Sequence, residues 1–344
     1  MDWKKMFETQ RAYYQGGATQ SYEARRRALD RLLQGLEEHE DKLLKALQQD
    51  LGKAPFEGYM SEIGMVREEL HWHRRHLKKM MRPRRVSTPL AQFPSRSFRS
   101  PHPRGLVLVM APWNYPVQLS LSPLVGAVAA GNCVVLKPSN DAPHTAQAMA
   151  DLLRQCFDPG QVAVVLGGRA ENQALLDLPF DHIFFTGGET VGRLVLEKAA
   201  RHLTPVTLEL GGKSPCIVAK DADLSLAARR IVFGKFLNAG QTCVAPDYLL
   251  VDRSVMQPLL DCLEQQIRQA FGEDPLRCPE YPRIVNDKHF ERLRGLLEQG
   301  TIRMGGRWDA QQRRIEPTML VDVRPDDPVM QQEIFGPLLP VLPY

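Results

Sequence analysis

The chain has 344 residues, 43% hydrophobic and 24% charged, and its 44 Lys and Arg barely exceed its 40 Asp and Glu. This composition excludes a disordered, collagenous or coiled-coil chain and is sufficient for a large core and two domains. The small, dispersed positive excess excludes nucleic acid as the main partner.

No apolar run reaches the roughly 18 residues of a membrane helix. The start MDWKKMFETQRAYY also lacks a signal peptide's apolar stretch, so the expectation is a cytoplasmic protein with no membrane span. The six cysteines, Cys133, Cys156, Cys216, Cys243, Cys262 and Cys278, form no CxxC pair. They read as free thiols in a reducing compartment, one of them a candidate for catalysis.

Between Ser21 and Lys53, Leu29, Leu32, Leu33, Leu36, Leu43, Leu44 and Leu47 recur at helical spacing and predict one or two amphipathic helices. Residues 57–80 predict another. Residues 82–104 carry six Arg, five Pro and no acid, and read as a domain linker or oligomerisation arm. The prolines forbid a continuous recognition helix there. His71, His73 and His76 lie among Arg and Lys without carboxylate or thiolate company, so no metal site is expected.

From Gly105 onward strands alternate with helices. The apolar runs GLVLVMA, NCVVLK, VAVVLGG, HIFFTG and PVTLEL are separated by four helical segments. Strands this uniformly apolar are buried on both faces, which predicts a doubly wound, Rossmann-like parallel sheet with ligand groups at the strand carboxyl ends. The expected division is 1–208 as a nucleotide-binding domain and 209–344 as a second α/β domain, with helices near 223–237 and 255–271.

The residues after each strand carry the chemistry. In Pro112-Trp113-Asn114-Tyr115-Pro116 two prolines pin a turn, so the Asn114 amide is a candidate oxyanion donor, an Asx turn being the simpler alternative. Lys137 stands where a dinucleotide enzyme commonly carries an acid for the ribose. An ammonium there admits NADP beside NAD, with Asp141 opposing, unless Lys137 is only a surface lysine. Thr186-Gly187-Gly188 through Gly192 forms a glycine turn into a helix, suited to a pyrophosphate but also to a tight turn with no ligand. Glu209 alternates with Val206, Leu208 and Leu210 and precedes two glycines, so it is a candidate base for water or a hydrated strand-end residue. Cys243, in the loop Gly240-Gln241-Thr242-Cys243, is the leading nucleophile.

In order and spacing, Pro112-Trp113-Asn114, Lys137-Pro138-Ser139, Phe185-Thr186-Gly187, Leu208-Glu209-Leu210-Gly211-Gly212-Lys213, Gly240-Gln241-Thr242-Cys243 and Glu333-Ile334-Phe335-Gly336-Pro337 resemble the aldehyde dehydrogenase family. AAGNCVVLKPS and HLTPVTLELGGKSPC look like its class-three branch, whose members oxidise medium- and long-chain or aromatic aldehydes with NAD or NADP. The resemblance implies that Cys243 attacks the aldehyde, Asn114 and the Cys243 N–H hold the oxyanion, and Glu209 activates water against the thioester. It further implies that Lys137 binds the adenosine ribose, Glu333 the nicotinamide ribose, and Phe335 packs near the nicotinamide. Trp113, Thr186, Gly187, Gly188 and Gly192 would line the cofactor path.

Asn140 stands where many relatives carry Glu, and Gly188 where Ser is common. The chain ends at Tyr344, just after the Glu333–Phe335 motif, where relatives continue with further catalytic domain and a dimerising tail. The expectation is therefore a C-terminally incomplete fold with open sheet edges, from a family whose complete members are homodimers. Two other readings stand beside this one. An acylating or reductive superfamily member would release the thioester to phosphate or coenzyme A, against which Glu209 argues. A truncated, inactive nucleotide-binding relative fits the early end but not the complete catalytic set.

Overall fold

The computed structural model describes residues 3–344. Two compact units result. The first takes the described residues through Ala46 together with Glu57–Glu209, and the second takes Leu47–Phe56 and Leu210–Tyr344. These bounds place residues 47–56 with the second unit and Glu209 with the first. At the end of helix Glu40–Leu51, Gly52 adopts φ 70° and its N–H closes on the Gln48 carbonyl oxygen. Arg283 of the same second unit adds two bonds there: its N–H donates to Leu51 O at 2.8 Å and its guanidinium to Gln48 O, a second donor for that carbonyl, at 3.1 Å.

The first unit opens with helices α1 (Trp3–Gln15), α2 (Tyr22–Glu38), α3 (Glu40–Leu51, shared with the second unit) and α4 (Gly64–Met80). The predicted leucines bury one face of α2, and the Ser21 Oγ caps it by accepting the Ala24 N–H. The helix expected over 57–80 is continuous in direction but contains a π turn, Tyr59–Ile63. Residues 82–104 carry an exposed antiparallel ribbon, Arg84–Val86 with Ser97–Arg99. On α4, His76 stacks on Trp72 with ring centroids 4.5 Å apart. Among the described residues no group of three or more His, Cys, Asp or Glu could hold a metal ion, and no helix is long and apolar enough to cross a membrane.

Five strands follow: β1 (Leu106–Met110), β2 (Cys133–Lys137), β3 (Val162–Val164), β4 (His182–Gly187) and β5 (Val206–Leu210), in the order β3-β2-β1-β4-β5. β1 pairs in parallel with both β2 and β4, and every residue of β1 and β2 is buried. Helices α5 (Gln118–Ala129), α6 (Pro143–Cys156), α7 (Arg169–Leu176) and α8 (Glu189–Ala200) alternate with them. The chain reverses its winding direction at β1, and in doubly wound sheets ligands bind beyond the strand carboxyl ends at such a switch point.

The second unit holds β6 (Pro215–Val218), β7 (Tyr248–Val251), β8 (Thr301–Met304), β9 (Thr318–Val321) and β10 (Leu338–Pro343), with α9 (Leu224–Phe236), α10 (Met256–Phe271) and α11 (Asp287–Leu296). The sheet order is β8-β9-β10-β7-β6, and only β8–β9 is antiparallel. Strand alternation feeds two cores: Met319, Leu339 and Val341 join one cluster, Leu320 and Leu338 the other. The closing apolar segment of the chain is thus the central strand of this sheet, not an open edge.

Candidate active site

In the first unit the expected cofactor residues gather at the carboxyl ends of β1, β2 and β4. The turn after β1 starts where the Ala111 N–H donates to Lys137 O at 3.1 Å, and it buries Asn114. Beyond Pro116, the Val117 and Gln118 N–H groups both donate to Glu62 Oε2, at 2.7 and 3.1 Å. Lys137 is buried at the end of β2, its Nζ donating to Pro138 O at 2.8 Å and Gly167 O at 2.7 Å. Burial pushes this ammonium down to about 8, Glu171 opposing the shift.

Near the carboxyl end of β4 the buried Thr186 hydroxyl has no hydrogen-bond partner among the described residues. Gly188 caps α8, and a β-carbon there would meet nothing within 4 Å. An orphaned hydroxyl beside open space at a helix N-terminus fits a dinucleotide pyrophosphate. Gly192 differs from its neighbours: its N–H closes the first turn of α8 on Gly188 O, so it contributes close backbone packing, not a free donor. Glu209 is exposed near the carboxyl end of β5.

The second unit builds the cysteine loop. After α9, Asn238, Ala239 and Gly240 all take positive φ (52°, 52° and 74°), which reverses the chain abruptly. The fully buried Gln241 side chain secures the reversal, donating to Asn238 O at 2.9 Å and Arg283 O at 3.1 Å and accepting the Val285 N–H at 3.0 Å. Cys243 follows, half-buried. Cys133 and Cys156, by contrast, are buried, and desolvation pushes their thiols up to about 12 and about 11.

The Glu333–Phe335 loop packs directly on this turn. A β-carbon on Gly240 would collide with Gly336 O, and one on Gly211 with the Glu333 carboxylate. Glu333 Oε1 accepts the Gly212 N–H at 3.1 Å. Burial raises the Glu333 carboxyl above its ordinary range and Asp247 adds to the rise, while the Gly212 N–H, Arg292 and Lys213 oppose it. Phe335 sits at φ 50°, a conformation that needs support from its surroundings.

That support comes from residues that sequence reasoning did not single out. Asp247 Oδ1 accepts the Ile334 N–H at 2.9 Å, and Oδ2 pairs with Lys213. Lys213 also donates to Val329 O and Gln332 O, at 3.0 and 2.9 Å. Arg292 donates to Ile334 O at 2.6 Å. Lys235, fully buried beside this cluster, is pushed down to about 8 by desolvation. An acid entering the buried strand β7 was a usable signal for Asp247; nothing local marked Arg292 or Glu62.

Residues 1–344 match the family model described as the aldehyde dehydrogenase family. The chain is 44% identical over 343 residues to the 4,4'-diaponeurosporen-aldehyde dehydrogenase of Staphylococcus aureus, covering 99% of this chain and 75% of that protein. It is also 44% identical over 332 residues to the dimeric NADP-preferring aldehyde dehydrogenase of Rattus norvegicus, covering 96% of this chain and 73% of that protein. Among solved structures, a substrate-bound state of Staphylococcus aureus AldH superposes with a TM-score of 0.97 at 43% identity, covering 99% of this chain and 75% of that one. The chain belongs to the aldehyde dehydrogenase family, oxidoreductases that convert an aldehyde to the carboxylic acid with NAD or NADP.

Proposed function

We propose that this chain oxidises medium- to long-chain or aromatic aldehydes with Cys243 as nucleophile, Asn114 as oxyanion donor and Glu209 as the base for water. The observation that carries the reading is the loop 238–243: three successive left-handed residues, secured by the buried Gln241, present one half-buried thiol while Cys133 and Cys156 are buried and held protonated.

Cys243 gives its proton to water, the thiolate sulfur bonds to the aldehyde carbon, and the carbonyl π electron pair moves onto oxygen. The Asn114 side-chain NH2 and the Cys243 N–H donate to that oxyanion. The adduct's C–H bond then breaks with its electron pair as the oxyanion re-forms the carbonyl, leaving a thioester on Cys243; NAD or NADP would supply the hydride acceptor when bound. Glu209 then takes a proton from water, the oxygen adds to the thioester carbon, and the sulfur leaves, so that the acid is released.

Lys137 would hold the adenosine ribose and Glu333 the nicotinamide ribose, with Phe335 near the nicotinamide. Trp113, Thr186, Gly187, Gly188 and Gly192 would line the cofactor path. An ammonium at the end of β2 with Asn140 nearby supports use of NADP as well as NAD. On this reading residues 1–208 form the cofactor domain and 209–344 the catalytic domain, apart from the excursion 47–56. Six free cysteines support a cytoplasmic location. The exposed Leu90 and Phe93 of the 82–104 segment support its role as an oligomerisation arm in a homodimer.

The test is absorbance of reduced cofactor with NAD and then NADP, using a long-chain and an aromatic aldehyde, with Cys243→Ala as control. Turnover lost in a variant that still binds cofactor is expected. Turnover retained by Cys243→Ala, or a coenzyme A-dependent rate far above hydrolysis, would overturn the reading.

A further inference from the structure

We infer that Glu62 is a positioning residue that holds Asn114 where the oxyanion forms; the inference rests on Asn114 being the oxyanion donor. Glu62 is completely buried, on the π turn Tyr59–Ile63 that interrupts the helical run leading into α4. The Gly64 N–H reaches back to Tyr59 O, and a β-carbon on Gly64 would lie 2.9 Å from that oxygen, so glycine lets the wide turn close. One inserted residue rotates the helix face by about 100°. That rotation delivers the Glu62 carboxylate to the start of α5.

There a single oxygen, Oε2, accepts both the Val117 and the Gln118 N–H. These are the first two amides after Pro116, which has none of its own. A carboxylate at the N-terminus of a helix makes strong, charge-assisted bonds. The other end of the Asn114 turn is tied to the sheet by the Ala111 N–H on Lys137 O. The turn is thus held between the carboxyl end of β2 and Glu62, with Pro112 and Pro116 fixing φ at both shoulders and the buried Asn114 midway. An oxyanion donor works only within a few tenths of an ångström of its distance, so a shift at Val117 is transmitted to Asn114.

A merely structural glutamate would affect stability but would not act through Asn114, and a double-mutant cycle separates the two. Glu62→Asp keeps the charge but withdraws the carboxylate by one methylene. Glu62→Gln keeps an acceptor at full reach and, being isosteric, provides a folded variant for the same cycle. Each is made alone and with Asn114→Ala, and kcat, aldehyde KM and urea unfolding are measured. Glu62→Asp should lower kcat about tenfold with aldehyde KM within about twofold, and Glu62→Gln should recover most of it.

In the Asn114→Ala background both substitutions should change kcat by less than about twofold. A Glu62 effect that persists at full size in that background, or no effect of either variant in the parent, overturns the inference. If Asn114→Ala alone leaves kcat unchanged, the oxyanion assignment fails and the inference falls with it, an outcome visible with Glu62 intact.

Discussion

The α-carbon of Gly240 rests against the carbonyl oxygen of Gly336, so closely that no β-carbon fits between them. Two motifs that lie almost a hundred residues apart are thereby joined backbone to backbone, and the position of the Cys243 loop depends on that of the Glu333–Phe335 loop.

Gly240→Ala should therefore lower stability and misplace Cys243 together. Gly240 has φ 74° and faces a backbone atom that cannot rotate away, so a loss of at least about 2 kcal/mol is expected. Urea unfolding and the rate of Cys243 alkylation measure the two effects; wild-type values for both would refute the packing argument.

Thiol chemistry should distinguish Cys243 from the two buried thiols. Because burial holds Cys133 and Cys156 at about 12 and about 11, both stay protonated at pH 8. Iodoacetamide followed by peptide mass spectrometry should show inactivation tracking modification of Cys243, with these two unlabelled in the folded enzyme. Labelling of Cys133 at a rate comparable to Cys243 would contradict this.

Lys137 and Lys235 give opposite pH signatures for binding and stability. Each is lowered by burial from 10.5 to about 8, so between those values the unfolded chain binds more protons than the folded one. The destabilisation from burying these ammonium groups is fully present below pH 8 and is relieved as pH rises toward 10.5. The contribution of the lysines to the urea midpoint should increase across that window, and Lys235→Met should remove part of the slope. Cofactor binding that uses the charged Lys137 should weaken about tenfold from pH 7 to pH 9, and Lys137→Ala should flatten that dependence. Titration of cofactor by protein fluorescence reads it directly.

Removing Asp247 should be costly. Its carboxylate is buried between Lys213 and the Ile334 N–H, so Asp247→Ala leaves that amide without its acceptor and the Lys213 ammonium with carbonyl oxygens but no counter-charge. A destabilisation of roughly 3 kcal/mol is expected, together with a several-fold rise in the cofactor dissociation constant as the Glu333 loop loosens. A variant with unchanged urea midpoint and cofactor affinity would show that the loop stands without it.

Glu209→Gln should separate the two halves of the reaction. A rapid burst of up to one reduced cofactor per chain is expected, followed by hydrolysis at least about a hundredfold slower than wild type. A steady rate equal to wild type would assign the base elsewhere.

Much of this was legible in the amino-acid sequence because it rests on local rules. Short, uniformly apolar runs alternating with helical segments marked β1 to β5, and helical spacing marked α2, α9 and α10, since a strand or helix records its own burial in its own residues. Short signatures likewise marked Asn114, Lys137, Glu209, Cys243 and Glu333. The supports of those residues were not legible. The bonds from Glu62 to Val117, from Asp247 to Ile334 and from Arg292 to Ile334 span 55, 87 and 42 residues.

The sequence by itself marked the groups proposed to carry the chemistry and determined which segments form the parallel sheet of the first unit. Only the tertiary structure decided that residues 47–56 join the second unit, that Leu338–Pro343 runs through the middle of a sheet, and that a π turn carries Glu62 to the Asn114 turn. The physical reason is the same in each case: a buried backbone amide or carbonyl must find a partner, and the partner is chosen by proximity in space, which no local pattern of residues records.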